Sequence, residues 1–290
     1  MMKKVGILLA LSTIATPALA AEEENEQHWR VGFSGGATLV GGVDDQTYAS
    51  ASITRNIGNG YVQLSATGVD AGDAQGLIFA VPASSQQLRL SGGTGWGDIS
   101  LDGYVSAGRR KFDDELIGND GSPIIVNSDG NIFGIGGSAT YDLAIGESGF
   151  LSPSIEVDFN SVDIGRAVTL PSGRQATVEE KEKGVSGTIS LTYTHLFGKD
   201  AKHSFGPHAA LVVSSNSTAF SPGSNSGSAR MAQFVATRNQ PGEGDAWAEF
   251  GVSASFGLGK NLRLSLFASQ SAGFIGPEAT SVGAGLSLGF

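Results

Sequence analysis

The last ten residues of the chain alternate strictly between apolar and small side chains. Every second position from Val282 to the final Phe290 is apolar, and serine or glycine fills the positions between them. Successive side chains of a β-strand point to opposite faces, so this segment predicts a strand with one apolar and one polar face. Lipid on one side and a polar lumen on the other produce this pattern in membrane barrels. We therefore predict a membrane-spanning strand at the C-terminus.

The first twenty residues predict export. Lys3 and Lys4 form a charged start, residues 5–14 are largely apolar, and Ala18 and Ala20 are the small residues of an A-x-A cleavage site. The apolar run is too short for a membrane-spanning helix. We expect residues 1–20 to be a signal peptide, residues 21–28 a short acidic tail, and residues 29–290 a barrel.

Composition argues against several classes of protein. The chain has 18 Lys and Arg residues, and losing Lys3 and Lys4 would leave 16 against 28 acidic residues, a net charge of about −12. Such a chain is not expected to bind nucleic acid. No later segment approaches the roughly 18 continuous apolar residues of a membrane-spanning helix. The sequence contains no Cys, which excludes disulfides and thiolate metal sites.

Twelve segments show the alternation, each about 10–15 residues long, close to what a tilted strand needs to cross the hydrocarbon. They are 29–40, 46–56, 60–69, 86–95, 98–110, 131–143, 150–160, 185–197, 204–214, 246–258, 261–271 and 279–290. We predict an all-β fold, a closed antiparallel transmembrane barrel of about twelve strands. The alternative has ten strands, and the segments it places in doubt are 46–56 and 60–69.

The connections between these segments alternate in length. The even-numbered ones are short and most contain Gly or Asn, as tight hairpins require, whereas the odd-numbered ones at 70–85, 111–130, 161–184 and 215–245 are long. Membrane barrels have short periplasmic turns and long extracellular loops. We therefore expect both termini in the periplasm and the barrel in the outer membrane of a Gram-negative bacterium.

Charged residues fall on the polar faces of the predicted strands. We predict nine lumen-facing charges: Arg30, Arg89, Asp102, Arg110, Asp142, Glu156, Asp158, Glu249 and Arg263. Two alternatives are open, because these groups could satisfy one another in a wet lumen or could line a selective pore. In an open pore, acidic loop residues such as Asp44, Asp45 and Asp113 would concentrate cations at the outer mouth.

The loop at 215–245 has an apolar content that is unusual for a solvated loop of about thirty residues. A twelve-stranded barrel also has only a narrow lumen. We therefore weigh an open pore against a plugged one, in which Arg230, Met231, Phe234 and Arg238 fold inward and the arginines pair with carboxylates such as Glu156.

Aromatic residues lie near the ends of the predicted strands, at Trp29, Tyr61, Trp96, Tyr141, Phe150, Phe197, Trp247 and Phe290. They suit the aromatic girdles of a membrane barrel, although a core position is equally compatible with Tyr61. Glycine-rich runs at 32–36 and 134–137 lie within strands, where glycine marks bends or close packing, so we do not assign them to phosphate binding.

No set of residues predicts catalysis or metal binding. The histidines are His28, His195, His203 and His208, and although His203 precedes Ser204, no base, nucleophile and orienting group can be assigned from the spacing. The acidic loop clusters at 44–45 and 113–115 are explained as solvated charges, with cation binding as the alternative. We expect neither an enzyme nor a cofactor.

The layout resembles the C-terminal translocator barrel of autotransporters. The resemblance rests on 98–110, on 132–164 with Leu151-Ser152-Pro153, on 187–214 with Phe205-Gly206-Pro207, and on the terminal Phe290. It implies a barrel of about twelve strands in the outer membrane and recognition of Phe290 by the barrel-assembly machinery. Outer-membrane lipid and lipopolysaccharide are the other expected partners.

Autotransporters also carry a passenger domain before the barrel, and residues 21–28 are too few to form one. We therefore expect a translocator-type barrel without a passenger and with a structural or transport role. The alternative is a surface module that binds a partner through its long loops. An outer-membrane hydrolase is a distant third.

Overall fold

The computed structural model describes residues 28–40, 46–70, 83–112, 116–117, 123–124, 129–169, 175–216, 244–273 and 279–290. The predicted signal peptide, with Ala18 and Ala20, and residues 21–27 of the acidic tail lie outside these ranges, so cleavage after Ala20 stays a prediction. Within the described ranges, no helix combines the length and the apolar character needed to cross a bilayer.

Twelve strands make up the fold, and we number them in chain order. They are β1 (Trp29–Val40), β2 (Gln46–Ile57), β3 (Gly60–Asp70), β4 (Ala83–Trp96), β5 (Ile99–Phe112), β6 (Asp129–Tyr141), β7 (Gly149–Thr169), β8 (Gln175–Phe197), β9 (His203–Ser214), β10 (Asp245–Gly257), β11 (Leu262–Gly273) and β12 (Ala279–Gly289). After Asp142, β6 continues as Leu143–Ile145 in the same register against β7. A two-residue ladder joins Leu116–Ile117 to Pro123–Ile124, and a 3-10 turn spans Lys199–Ala201.

Each strand pairs antiparallel with its neighbours in sequence, and the sheet closes on itself because β12 also pairs with β1. Closure leaves no open sheet edge, which is the condition for a sheet in hydrocarbon. The prediction of a closed antiparallel barrel is confirmed with twelve strands. The ten-strand alternative is wrong, because β2 and β3 are regular strands that form eleven register pairs from Thr47↔Asp70 to Ile57↔Gly60.

The closing seam joins the two ends of the folded chain. Eleven register pairs run from Arg30↔Gly289 to Val40↔Ala279. Beyond them, the backbone N–H groups of Trp29 and Phe290 each donate to the carbonyl of the other residue, at 3.1 and 2.9 Å. The terminal residue is therefore part of the ladder that closes the barrel.

The two faces of the wall differ as the alternation predicts. On β7, Ile155 and Val157 are 58% and 59% exposed, while Glu156 and Asp158 between them are 4% and 1% exposed. The same division holds around the barrel, with large apolar side chains outward and Ser, Thr, Asn, Asp, Glu and Arg inward. A continuous apolar outer surface is stable only against lipid, so the wall is built to span a membrane.

The segment 161–184, predicted as a loop, is largely strand. β7 and β8 stay paired up to Thr169↔Gln175, although β6 leaves β7 at Val162 and β9 leaves β8 at Ser186. At roughly 3.4 Å per residue, the hairpin extends about 24 Å beyond β6 and about 37 Å beyond β9. The strands were predicted from their apolar outer faces. A strand that extends beyond the hydrocarbon does not need an apolar outer face, so this part of the hairpin was missed.

Candidate functional site in the barrel lumen

Two tyrosines on the lumen face each reach across one strand to a carboxylate on the next. The register places Tyr61, Gly93 and Asp102 side by side on β3, β4 and β5, and Tyr61 Oη donates a 2.7 Å hydrogen bond to Asp102 Oδ1. The same arrangement recurs two strands further around the barrel, on β5, β6 and β7. There, Tyr104 Oη on β5 donates to Asp158 Oδ1 on β7 at 2.6 Å.

The middle strand of each row carries a glycine because the tyrosine ring lies over it. In the second row, Gly136 of β6 lies between Tyr104 and Asp158 in the register. A Cβ on Gly136 would lie 2.1 Å from Asp158 Oδ1 and 2.6 Å from Tyr104 Cε1, and Gly93 is similarly crowded. The sequence prediction that glycine within 134–137 marks close packing agrees with this contact.

Arg89 on β4 joins the second row to the acidic side of the lumen. Its Cζ lies 3.5 Å from the centre of the Tyr104 ring, within the range of a cation–π contact. Glu156 and Asp158 are the carboxylates that act electrostatically on Arg89. Arg89, Glu156 and Asp158 are all more than 90% buried, so the three charges form one compact cluster with the ring of Tyr104.

A second cluster lies near the extracellular ends of β5 to β8 and centres on Asp163. Its Oδ2 accepts from the backbone N–H and side-chain amide of Asn131 at 2.9 and 3.2 Å, and Lys181 Nζ lies 3.5 Å from Oδ1. Arg110 Nη1 donates to the carbonyl oxygen of Asp163 at 3.1 Å. Arg110 is buried on the lumen face of β5, whereas Asp163 has the outer-face parity of β7 and lies in a segment that was predicted as a loop.

Two further carboxylates at this end are held by neutral donors. Asn216 Nδ2 donates to Glu182 Oε2 at 2.6 Å, and Trp247 Nε1 donates to Glu249 Oε1 at 2.8 Å. The assignment of Trp247 to an aromatic girdle is wrong, since its side chain is 4% exposed on the lumen face beside Val212. Because the indole of Trp247 lies inside the barrel, its N–H can donate to the buried carboxylate of Glu249. A lipid-facing indole could not reach that carboxylate.

The remaining predicted lumen charges lie near the periplasmic end. Arg30 of β1 and Arg263 of β11 are half-buried on either side of β12 and repel each other electrostatically. Arg263 Nη1 also donates to Ser255 Oγ at 3.0 Å. Asp142, on the far side of the barrel, accepts from the hydroxyl of Ser152.

The lumen charges are therefore segregated. Asp102, Asp142, Glu156, Asp158 and Glu182 all belong to β5–β8 or the chain between them, and Arg110 of β5 and Arg89 of the adjacent β4 neutralise them in part. Arg30 and Arg263 flank the seam at the opposite wall. The nine predicted charges thus do not form one network: Glu249 lies apart on β10, and most of the negative charge lies along the β5–β8 wall.

Apolar residues fill part of the lumen face toward the extracellular end. Ile132 and Val162 contact each other and are 2% and 0% exposed, and Val212 is 1% exposed beside Trp247. Inward residues of a wide aqueous pore would retain contact with solvent. Their burial indicates that the lumen is narrow at this level.

Several predicted features lie outside the described residues. They are the plug residues Arg230, Met231, Phe234 and Arg238, and the acidic loop clusters at 44–45 and 113–115. Within the described ranges, no group of three His, Asp or Glu side chains could hold a metal ion. Ser148 Oγ lies 3.5 Å from His195 Nδ1 in an exposed turn, a long and solvated contact.

Comparison with known proteins finds likeness in fold and not in sequence. No protein-family model matches the chain, and no curated protein matches it. The translocator domain of the autotransporter NalP from Neisseria meningitidis superposes with a TM-score of 0.62 at 14% identity, covering 92% of this chain and 90% of that chain. The β domain of the Bordetella autotransporter BrkA gives 0.61 at 16% identity, covering 90% and 98%.

The chain therefore has the barrel fold of these translocator domains. The predicted resemblance to autotransporter translocators is confirmed at the level of the fold. An outer membrane channel from Pseudomonas putida is also similar, with a TM-score of 0.53 at 10% identity, covering 90% of this chain and 94% of that chain. This channel thus has a similar barrel architecture.

Proposed function

We propose that this translocator-type barrel resides in the outer membrane with its short turns in the periplasm, and that it acts there as a structural or transport component. The observation that carries the proposal is the division of the wall into an apolar outer face and a charged, largely buried inner face. A barrel with only a structural role has no need for segregated charges along its lumen. A conduit gains selectivity from them.

The segregated charge supports cations as the permeant species. On the lumen face, the five carboxylates of β5–β8 and the chain between them outnumber Arg110 of β5 and Arg89 of β4, so this wall is net negative. The narrow extracellular end, with Ile132 and Val162 almost fully buried, supports a lumen that conducts little in its resting form. Closure by residues 230–238 remains part of this proposal, as does the absence of enzymatic activity.

Single-channel recording in planar bilayers tests the proposal. The full chain should insert, and ions that pass should be mainly cations. Steady anion-selective conductance would contradict the assignment of the acidic wall. If the chain inserts without conducting even after the lumen is opened by deletion, the transport role fails and the structural role stands.

The same recording separates the surface-module alternative. The extended β7–β8 hairpin is the feature that would present a binding surface there. An inserted, non-conducting barrel whose binding to cells or matrix is lost when the hairpin is shortened would favour that alternative.

A further inference from the structure

Three aromatic rings form a row on the outer face at the periplasmic end of β8, β9 and β10. The register places Phe197, His203 and Phe256 directly opposite one another. The ring centres of Phe197 and His203 lie 5.4 Å apart, and those of His203 and Phe256 lie 5.8 Å apart. Aromatic rings at the end of membrane strands occupy the interface between headgroups and hydrocarbon.

Three lysines lie immediately below this row. Lys199 and Lys202 belong to the β8–β9 turn and Lys260 to the β10–β11 turn, and all three are exposed. The two turns are held together, because the backbone N–H of Gly257 donates to the carbonyl of Lys202 at 3.0 Å. The β8–β9 turn is therefore fixed beside the end of β10, and Lys260 follows three residues after Gly257.

Among the described short turns, lysine occurs only in this sector of the periplasmic rim, although Arg55 of β2 lies over the Trp29 ring elsewhere on the rim, 5.3 Å from its centre. The described β2–β3, β4–β5 and β6–β7 turns contain no Lys or Arg. The β4–β5 turn carries Asp98 and the β6–β7 turn carries Glu147. The β8–β11 sector also contains Asp200, so the turns there carry three positive charges and one negative charge. The row of three rings and the three turn lysines therefore coincide in this one sector of the described barrel.

We propose that the β8–β11 sector binds the headgroup of an anionic phospholipid in the periplasmic leaflet. The phosphate would lie among Lys199, Lys202 and Lys260, and the glycerol and upper acyl chains would pack against the Phe197–His203–Phe256 row. Each lysine near an anionic membrane surface contributes about 1 kcal/mol, or roughly fivefold in affinity. The proposal rests on the proposed membrane location and adds a defined lipid site to it.

Native mass spectrometry of the full detergent-solubilised chain tests this site. Phosphatidylglycerol and phosphatidylcholine with identical acyl chains are titrated separately, and the bound lipids are counted. The wild-type chain should retain phosphatidylglycerol preferentially, and the preference should weaken as salt is raised because the attraction is screened. The triple variant K199Q/K202Q/K260Q should lower the phosphatidylglycerol affinity about tenfold or more and leave the phosphatidylcholine affinity unchanged.

A matched variant controls for the loss of charge. R109Q/K111Q/K183Q removes three exposed positive charges from the opposite end of the barrel and should behave as wild type. A second variant, F197L/F256L, keeps the charges and should lower the affinity for both lipids, because it removes two rings of the row.

Equal affinity of the wild type for both lipids would overturn the lipid site, as would an equal loss in the two triple variants. Either result leaves the membrane location intact, since heat-dependent gel migration and β-rich circular dichroism in detergent report on the barrel independently. A chain that is a soluble monomer without detergent would refute the membrane location itself.

Discussion

Tyr104 donates a 2.6 Å hydrogen bond to Asp158 from two strands away, passing directly over Gly136. The contact requires three residues on three strands to lie in one register row. The hydrogen bond can therefore form only in the observed register of β5, β6 and β7, and it stabilises that register. The Tyr61–Asp102 hydrogen bond stabilises the register of β3, β4 and β5 in the same way.

The glycine beneath each tyrosine should be sensitive to a single methyl group. Gly136→Ala would place a Cβ 2.1 Å from Asp158 Oδ1, so the hydrogen bond or the strand must shift. We expect a loss of about 1–3 kcal/mol in the free energy of unfolding, as for other overpacked sites. Gly187→Ala is the matched control, since a Cβ there meets nothing within 4 Å. Urea unfolding in vesicles measures both, and equal stability of the two variants would argue against the tyrosine–glycine contact.

Arg89 should be coupled to the acidic wall. The variant R89M removes the cation from two buried carboxylates, and we expect it to lower the free energy of unfolding by about 2–4 kcal/mol. In R89M/D158N the unpaired negative charge is reduced, so the double variant should be more stable than the sum of the single changes predicts, by about 1–2 kcal/mol. The D158N change keeps an oxygen that can accept from Tyr104. Strict additivity in this double-mutant cycle would show that Arg89 and Asp158 do not interact.

The terminal aromatic should matter for assembly. Phe290 pairs with Trp29 through two backbone hydrogen bonds and its side chain is 60% exposed at the rim. Deleting Phe290 should lower the amount of folded barrel in the outer membrane and leave signal cleavage unaffected. Trp96→Ala, which removes another exposed aromatic from the periplasmic rim, is the control and should insert normally. The prediction fails if the deletion variant and the wild type reach the membrane in equal amounts.

The open and plugged lumen can be distinguished by a deletion. We expect little conductance from the intact chain, and a clear rise after removal of residues 231–240, the segment proposed to close the lumen. The opened pore should prefer cations, and R30Q/R263Q should strengthen that preference by removing positive charge from the seam wall. Reversal potentials under a salt gradient provide the measurement. Full conductance of the intact chain would rule out the plug.

The sequence predicted the strands well because lipid imposes a two-residue period on every strand. It placed β1 at the residues where the structure has it, and it assigned Glu156 and Asp158 to the lumen face from parity alone. It could not predict that Tyr104 would meet Asp158, since that depends on the stagger between strands that are far apart in sequence. The outer part of the β7–β8 hairpin was missed because water lies on both of its faces. Without lipid on one face, its sequence has no need to alternate between apolar and polar residues.

The position of Trp247 shows a second case in which the alternation of the sequence did not identify the face of a side chain. Trp247 lies near the end of β10, where an aromatic girdle is expected, and its apolar surface suits lipid as well as a packed lumen. Its position two residues before Glu249 puts both side chains on the same face, and that spacing was a signal for the indole–carboxylate hydrogen bond. The buried pair at Ile132 and Val162 offered no such signal, because apolar residues on a lumen face are exceptions to the alternation.

The seam between β1 and β12 sets an order of events during biogenesis. Trp29 begins the first strand and Phe290 follows the last, so the ring cannot close before every strand between them has been made. Until then, both outer strands carry unpaired backbone groups, which in other chains promote aggregation. The two edges that the finished barrel hides are therefore the most vulnerable part of the chain while it is still incomplete.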